Sequence, residues 1–590
     1  MLALSMASCN DFLNDNRYPM SMQTVDPEFW DNATNVENQL NYFYQDYSGY
    51  GNGTGTGRFY FSTLSDDQGS AIGGSFQNWT NTNVPASSTY WSSPYVEIRR
   101  ANLVIDGVTA SSLGQAEKNN YLGIARLNRA YQYWQLVRCY GDVPLVEKAL
   151  DPADEAELYG PRTDRNVVMD FVLADLNFAA ENIAAQNGKN VFSKDMANAM
   201  KAEICLFEGS YAKYHQNDEA RAKTYFNEVV NASNAVMGSY SLAEDYASLY
   251  NSARTATANG MVGLDSNPEI IFFKPYEQGV FMHSTCDYTG SSTPLAGISR
   301  DAFESFLFLD GNPMSLQADK KQEAVAIDNG DQVDSDGNVV VDSDGNVVKN
   351  YILDISGVLA ARDKRLSALI DDVLFFDGTP YERYSDIIGA ANTMLMTSST
   401  GYGIKKYWTP YMTYADLTTA AKNYTCAPLF WLARVYLAYA EARAELGTLT
   451  DADLNNTINK LYARAGLPTR TVSELSALND PANNMGVSSL LWEIRRCRRC
   501  ELMTDDGIRY WDLIRWKQLE LLDSEKHPNV FLGAYVGNLP SSVLSSIEVV
   551  NGYIKSAPQE RVFEEKQYFY PIPSGQIALN NNLTQNPGWQ

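Results

Sequence analysis

Tyr121-Leu-Gly-Ile-Ala-Arg-Leu-Asn-Arg-Ala-Tyr-Gln-Tyr-Trp-Gln-Leu-Val-Arg-Cys-Tyr-Gly-Asp-Val-Pro144 is the stretch that decides the fold class. Within the block 116–140, Tyr121, Ile124, Ala125, Tyr131, Trp134 and Val137 recur mostly three or four apart, which is one face of an amphipathic helix. Gly141 ends the pattern and Pro144 forbids its continuation. The blocks 164–182, 193–214 and 218–237 behave alike. In the last, Ala222, Phe226 and Val229 have the small–aromatic–small spacing of the second helix of a tetratricopeptide repeat. Further along, Pro428 reads as the start of a helix through Phe430, Tyr436, Ala440 and Ala444, closed by Gly447. Its partner carries Leu454, Ile458 and Leu461 before Gly466 and Pro468, and a last helical block spans about 488–503. Paired helices that cannot bury their faces alone must stack. The expected fold is therefore mostly α: a tetratricopeptide-like scaffold of helical hairpins with long, irregular, loop-rich insertions and a few short strands. The helical blocks fall at about 116–237 and 428–517, the loop regions at about 48–100 and 240–428. Loops of that length carry function or small strands of their own.

Composition narrows the function. The 590 residues are 45% hydrophobic, 20% charged and 12% aromatic, with 37 tyrosines. Acidic residues outnumber basic ones by 71 to 46, a formal charge of −25. A nucleic-acid binder needs a basic face to displace counterions from phosphate, and the run Arg495, Arg496, Arg498 and Arg499 is too short to supply one. Neutral, hydroxyl-rich or peptide ligands suit an acidic, tyrosine-rich surface better, with a local basic pocket still open. No apolar stretch reaches the roughly 18 residues of a transmembrane helix. The seven cysteines do not form a disulfide framework. Cys497 and Cys500 make a C-x-x-C, but they lie in a helical pattern, and the chain has three histidines, His215, His283 and His527. Packing on one helix face is the favoured reading.

Enzyme templates fit poorly. The chain has no G-x-S-x-G elbow, H-E-x-x-H or Walker loop, and the glycine run Gly49–Gly57 follows no strand. We therefore expect a binding protein without catalysis and without a cofactor. The segment Val333-Asp-Ser-Asp-Gly-Asn-Val-Val340 is repeated as Val341 to Val348, and Asp-Gly between valines signals hairpin turns. A casual calcium site on Asp334, Asp336, Asp342 and Asp344 is the weaker alternative.

The C-terminal third is more specific. Trp492-Glu-Ile-Arg-Arg-Cys-Arg-Arg-Cys-Glu-Leu502, then Asp506-Gly-Ile-Arg-Tyr-Trp-Asp-Leu-Ile-Arg-Trp516, resembles a signature of the SusD/RagB family of Bacteroidetes outer-membrane lipoproteins. The ending, Tyr568-Phe-Tyr-Pro-Ile-Pro-Ser-Gly-Gln-Ile-Ala-Leu-Asn580 with Leu583-Thr-Gln-Asn-Pro-Gly-Trp589, is similar to that family's. Cys9-Asn-Asp-Phe-Leu13, the run from Arg129 to Pro144, and Lys460-Leu-Tyr-Ala-Arg-Ala-Gly-Leu467 fall in the expected order. The resemblance implies that residues 1–9 are the tail of a signal peptide ending at an acylated Cys9, and that 10–590 form a single SusD-like domain. It further implies a surface lipoprotein that captures glycans, or in some members peptides, as a lid on a SusC-like TonB-dependent transporter in the outer membrane.

A sugar presents an apolar C–H face and a rim of hydroxyls, which flat aromatics and polar side chains bind respectively. By position and composition the candidate ligand residues are Asp67, Phe76, Trp79, Asn81, Tyr276, Phe281, Tyr288 and Trp408. Trp511, Trp516 and the neighbouring arginines read instead as core, arginine stems against rings. Peptide capture on the same scaffold is the main alternative, and a surface glycosidase the third reading.

Overall fold

The computed structural model describes residues 27–54, 64–69, 83–186, 188–290, 297–320, 322–375, 379–381, 387–389, 394–396, 398–544, 547–556 and 560–589. Cys9, Phe76, Trp79 and Asn81 lie outside the described residues. The chain groups into two compact units where the sequence reads as one domain. One comprises residues 1–46, 85–184 and 572–585, the other 47–84, 185–571 and 586–590. Among the described residues no helix is long and apolar enough to cross a membrane.

The first unit is built on three helices, Thr89–Ala110, Gln115–Tyr140 and Arg165–Asn182, with the middle one packed against both others. Tyr121, Ile124, Ala125, Tyr131, Trp134 and Val137 are buried as their spacing predicts. Burial continues around almost the whole helix beyond Tyr121, so its polar residues need partners. Arg129 finds them in Asp175, through Nε at 2.7 Å and Nη2 at 2.9 Å, and in Asn102 at 2.8 Å. The Thr89–Ala110 helix intrudes on the region read as loop. Trp91, Tyr95, Ile98 and Asn102 already have the spacing of a helix face, and Trp91, Ile98 and Asn102 are buried on it with Ala101, Ile105 and Val108.

In the second unit Lys194–Tyr214 and Glu219–Met237 form a helical hairpin. Ala222, Phe226 and Val229 are buried in it, and the Phe226 ring sits so close to Gly209 that a Cβ there would meet it at 2.8 Å. Leu432–Glu445 packs on this hairpin and on Ser489–Glu501. Pro428 opens no helix. It belongs to the strand Ala427–Trp431, antiparallel to Ile270–Lys274, and the helix starts only at Leu432. Phe430 and Trp431 suit a pleated, buried ladder, which outweighs the helical spacing of Phe430 and Tyr436. The expected partner helix breaks at Thr457 into Asp451–Asn456 and Ile458–Arg464, with Leu454, Ile458 and Leu461 fully buried. Residues 240–428 carry small sheets, among them a four-stranded antiparallel one from Val325–Asp331, Lys349–Asp354, Ile370–Leu374 and Tyr402–Ile404.

The duplicated segment makes two exposed turns, bridged Val333 to Val339 and Val341 to Val347. Gln332, Val340 and Val348, one per eight-residue period, close a ring of backbone hydrogen bonds. Gln332 N donates to Val348 O at 2.9 Å, Val340 N to Gln332 O at 2.8 Å and Val348 N to Val340 O at 2.9 Å. Asp334 and Asp342 each turn a carboxylate onto the N–H groups of their own turn, at 2.9 Å. Among the described residues no group of three or more His, Cys, Asp and Glu side chains could hold a metal ion, which leaves the calcium alternative without support. Deleting 341–348 lets Val340 take the place of Val348 opposite Gln332. The melting temperature should then move by no more than a few degrees, since shortening a surface loop costs little. A larger fall in a thermal melt would show that the second turn is packed.

Candidate functional site

Beneath the site lies a buried ionic core. Ser488 caps Ser489–Glu501 by accepting from Leu491 N, and all four arginines of this helix are buried. Each has its own acids. Arg495 reaches Glu445 at 3.1 Å and Arg496 reaches Asp480 and Glu493. Arg498 holds Asp512 at 2.8 Å, and Arg499 holds Asp67 at 2.7 Å and Asp301 at 2.6 Å. From the following helix, Ile508–Arg515, Arg509 forks Asp66 at 2.8 and 2.7 Å. The arginines also cover rings, with the Arg495 and Arg515 guanidiniums 4.2 and 4.5 Å from the Trp516 centroid. Burial pushes the thiols of Cys497 and Cys500 up to about 12 and about 11, so both are neutral packed side chains, as their spacing suggests. Burial also pushes up the carboxyl of Asp66, but Arg499 and Arg509 more than offset it and hold that group well below the usual range. Asp67 goes the other way, raised by burial and by the adjacent Asp66 charge.

On this floor the loop ends meet. Gln68–Gly69 pairs antiparallel with Gly297–Ile298, Gly69 opposite Gly297. Ser399 Oγ donates to Gly69 O at 2.8 Å. A Cβ on Gly69 would lie 2.3 Å from Ser556 Oγ, and one on Gly297 would lie 2.2 Å from Thr400 Oγ1 and 2.3 Å from Ser398 Oγ. Only glycine permits this approach. Beside this ladder is a cavity of about 330 Å³ whose wall includes Asp66, Arg300, Asp301, Glu304, Trp492 and Tyr553.

The family model described as the SusD family matches residues 268–589. The chain belongs to the SusD family. A second model, described as starch-binding and associating with the outer membrane, matches residues 11–207. SusD-like protein P38 of Formosa agariphila is 34% identical over 140 residues, 23% of this chain and 27% of that protein, so the match spans about a quarter of the relative's length. SusD-like protein P25 of the same organism is 22% identical over 433 residues, 73% of this chain and 70% of that one. Among solved structures, a SusD-like carbohydrate-binding protein from Bacteroides fragilis superposes with a TM-score of 0.67 at 20% identity, covering 94% of this chain and 100% of that one. A laminarin-binding SusD-like protein gives 0.54 at 20% identity over 94% and 99%. These likenesses show the fold.

Within this SusD-family chain the candidate residues part company. Asp67 is buried in the Arg499 ion pair. Tyr276 is buried too, its hydroxyl donating to Gly51 O at 2.7 Å and its ring stacked on Phe281 at 5.0 Å. Trp408 is buried and donates from Nε1 to Cys286 O at 3.1 Å. These three are spent on the protein's own interior, because insertions this long build a core of their own, and so they offer no face to a ligand. Phe281 and Tyr288 stay half-buried, with the Tyr288 hydroxyl on Thr54 O at 3.1 Å. Sequence reasoning missed Arg300 and Tyr553, and it placed Trp492 only in the signature helix. No spacing announces them, since the cavity assembles them from three distant segments.

Within the same insertion His283 is wholly buried. Its Nδ1 accepts from Thr285 N at 3.1 Å, so Nε2 carries the proton given to Thr425 O at 2.9 Å. Burial, partly offset by the Thr425 carbonyl, pulls this imidazole down to about 3. Between the ordinary imidazole value and that point the unfolded chain binds a proton that the folded chain refuses. Stability is therefore full above about pH 6.5 and falls on acidification, by about 1.4 kcal/mol per pH unit. His283→Gln should flatten that part of the acid limb in denaturant titrations at pH 6.5 and 4.5; an unchanged slope would place the proton uptake elsewhere.

Proposed function

We propose that this SusD-family protein captures glycans at the cell surface without transforming them and passes them to a SusC-like TonB-dependent transporter, held at the outer membrane by a lipid on Cys9. The carrying observation is the meeting of loop ends at Gly69 and Gly297, which ties the stretch holding the candidates Asp67, Phe76, Trp79 and Asn81 to the one holding Tyr276, Phe281 and Tyr288 on one short ladder. Trp79, Phe76 and Asn81, together with Phe281 and Tyr288, are the aromatic and polar side chains proposed to meet the glycan. The names of relatives point the same way, towards starch, laminarin and carbohydrate. The adjacent acids Asp66 and Asp67 are both buried and held by arginines, Asp66 in the fork of Arg509 and Asp67 on Arg499 Nε, which lends no support to the glycosidase reading. A partner surface is available on the first unit. A groove of about 480 Å³ there is floored by Trp91 and Leu583, and Val96, Leu158, Tyr159 and Leu579 stand exposed along it. Exposed apolar patches of this kind mark association.

Retention on immobilised polysaccharides, run beside immobilised peptides, tests the reading. Selective retention on at least one glycan is expected. Retention on peptides alone would shift the assignment to peptide capture.

A further inference from the structure

The cavity beside the loop ends is walled by guanidiniums that are not equivalent. Arg499 uses all three nitrogens on Asp66, Asp67 and Asp301. Arg300 uses one: Nε donates to Glu304 at 2.7 Å, while among the described residues Nη1 and Nη2 donate to nothing. Its side chain is 24% exposed, and its guanidinium carbon lies 3.8 Å from the centroid of the Tyr553 ring, which fixes where the fork stands. Arg509 likewise commits Nε and Nη2 to Asp66 and has no partner for Nη1 among the described residues. Both line the cavity. The acids on the same wall are already matched, Asp66 to Arg509, Asp301 to Arg499 and Glu304 to Arg300.

A planar guanidinium held against a ring with two parallel N–H donors unused is the geometry that takes a carboxylate or sulfate in a bidentate grip. The chain's charge of −25 opposes anions at long range, so any such preference comes from directed hydrogen bonds inside the cavity. At about 330 Å³ the space is at the small end of ligand cavities and suits one substituted sugar unit rather than a stretch of polymer. We infer that this cavity receives an anionic substituent, carboxylate or sulfate, of the captured glycan, gripped by Arg300 with Arg509 beside it. The inference rests on the glycan reading above.

The test titrates the full chain with a uronate oligosaccharide and a sulfated oligosaccharide, each beside its carboxyl-reduced or desulfated counterpart. One acidic form should bind about tenfold or more tighter than its neutralised counterpart, as expected for hydrogen bonds to a charged group. The arm that responds identifies the substituent. Arg300→Gln should bring that form down to the affinity of the neutralised one, and Arg300→Lys should recover part of the difference without the bidentate geometry. Equal binding of acidic and neutralised forms, or a preference that survives Arg300→Gln, overturns the inference. If neutral glycans bind and no acidic one is favoured, capture stands and this assignment falls. If no glycan binds at all, both fall.

Discussion

Glu441→Leu is expected to cost about 3–5 kcal/mol of folding stability, measured by denaturant unfolding. Glu441 is fully buried and accepts from Arg515 Nη1 and Nη2 at 2.7 Å each and from Trp516 Nε1 at 2.7 Å, with Arg495 Nε at 3.9 Å. Leucine fills the volume but leaves the buried guanidinium of Arg515 with Asp512 and the Ser210 hydroxyl in place of its bidentate carboxylate, and takes a second acid from Arg495, which keeps Glu445 at 3.1 Å. An unpaired buried charge is far costlier than a missing pair. Glu441→Gln keeps an acceptor for Trp516 and should cost less. Lys526→Ala, which breaks a pair with Glu520 that is about half exposed on both sides, should barely register. If all three variants unfold together, the arginine core is not what holds the two signature helices.

Gly297→Val tests how the loop ends are held. Its Cβ would sit 2.2 Å from Thr400 Oγ1, 2.3 Å from Ser398 Oγ and 2.8 Å from the Tyr402 carbonyl oxygen, which cannot swing aside. The strands must part, at a cost of about 1–3 kcal/mol for overpacking. Glycan affinity should fall by about tenfold or more as the loops lose their shared base and with it their preorganisation. Gly238→Ala, at a helix end where a Cβ meets nothing within 4 Å, should change neither quantity. Intact binding in Gly297→Val would mean that the platform does not depend on this ladder.

The sequence was informative where periodicity is long and strong. Gln115–Tyr140, Arg165–Asn182, Lys194–Tyr214, Glu219–Met237 and Ser489–Glu501 lie within a residue or two of the blocks read from spacing. It misled where two patterns overlap. Pro428 and Phe430 fit either period until Ile270–Lys274 pairs with them, and a ladder partner more than 150 residues away leaves no local trace. The signature arginines read as core and are buried, but their acids leave no local trace, since they come from positions as far away as Asp67, Glu203 and Asp301. The candidate site suffered most. Aromatics in long insertions serve the insertion's own core as readily as a ligand, and Tyr276 and Trp408 went to the core. The glycines that carry the ladder, Gly69 and Gly297, stand out only once the serines and threonine packed against them are known.

The most direct measurement is calorimetric titration of the wild type and Trp79→Ala against a broad panel of oligosaccharides, with reducing ends assayed in the same samples. The account predicts that at least one glycan binds at micromolar to millimolar Kd, about −8 to −4 kcal/mol. That glycan should lose several-fold affinity in Trp79→Ala, with an unchanged melting temperature, and release no new reducing ends. New reducing ends, or no glycan whose binding distinguishes the two proteins, would contradict it.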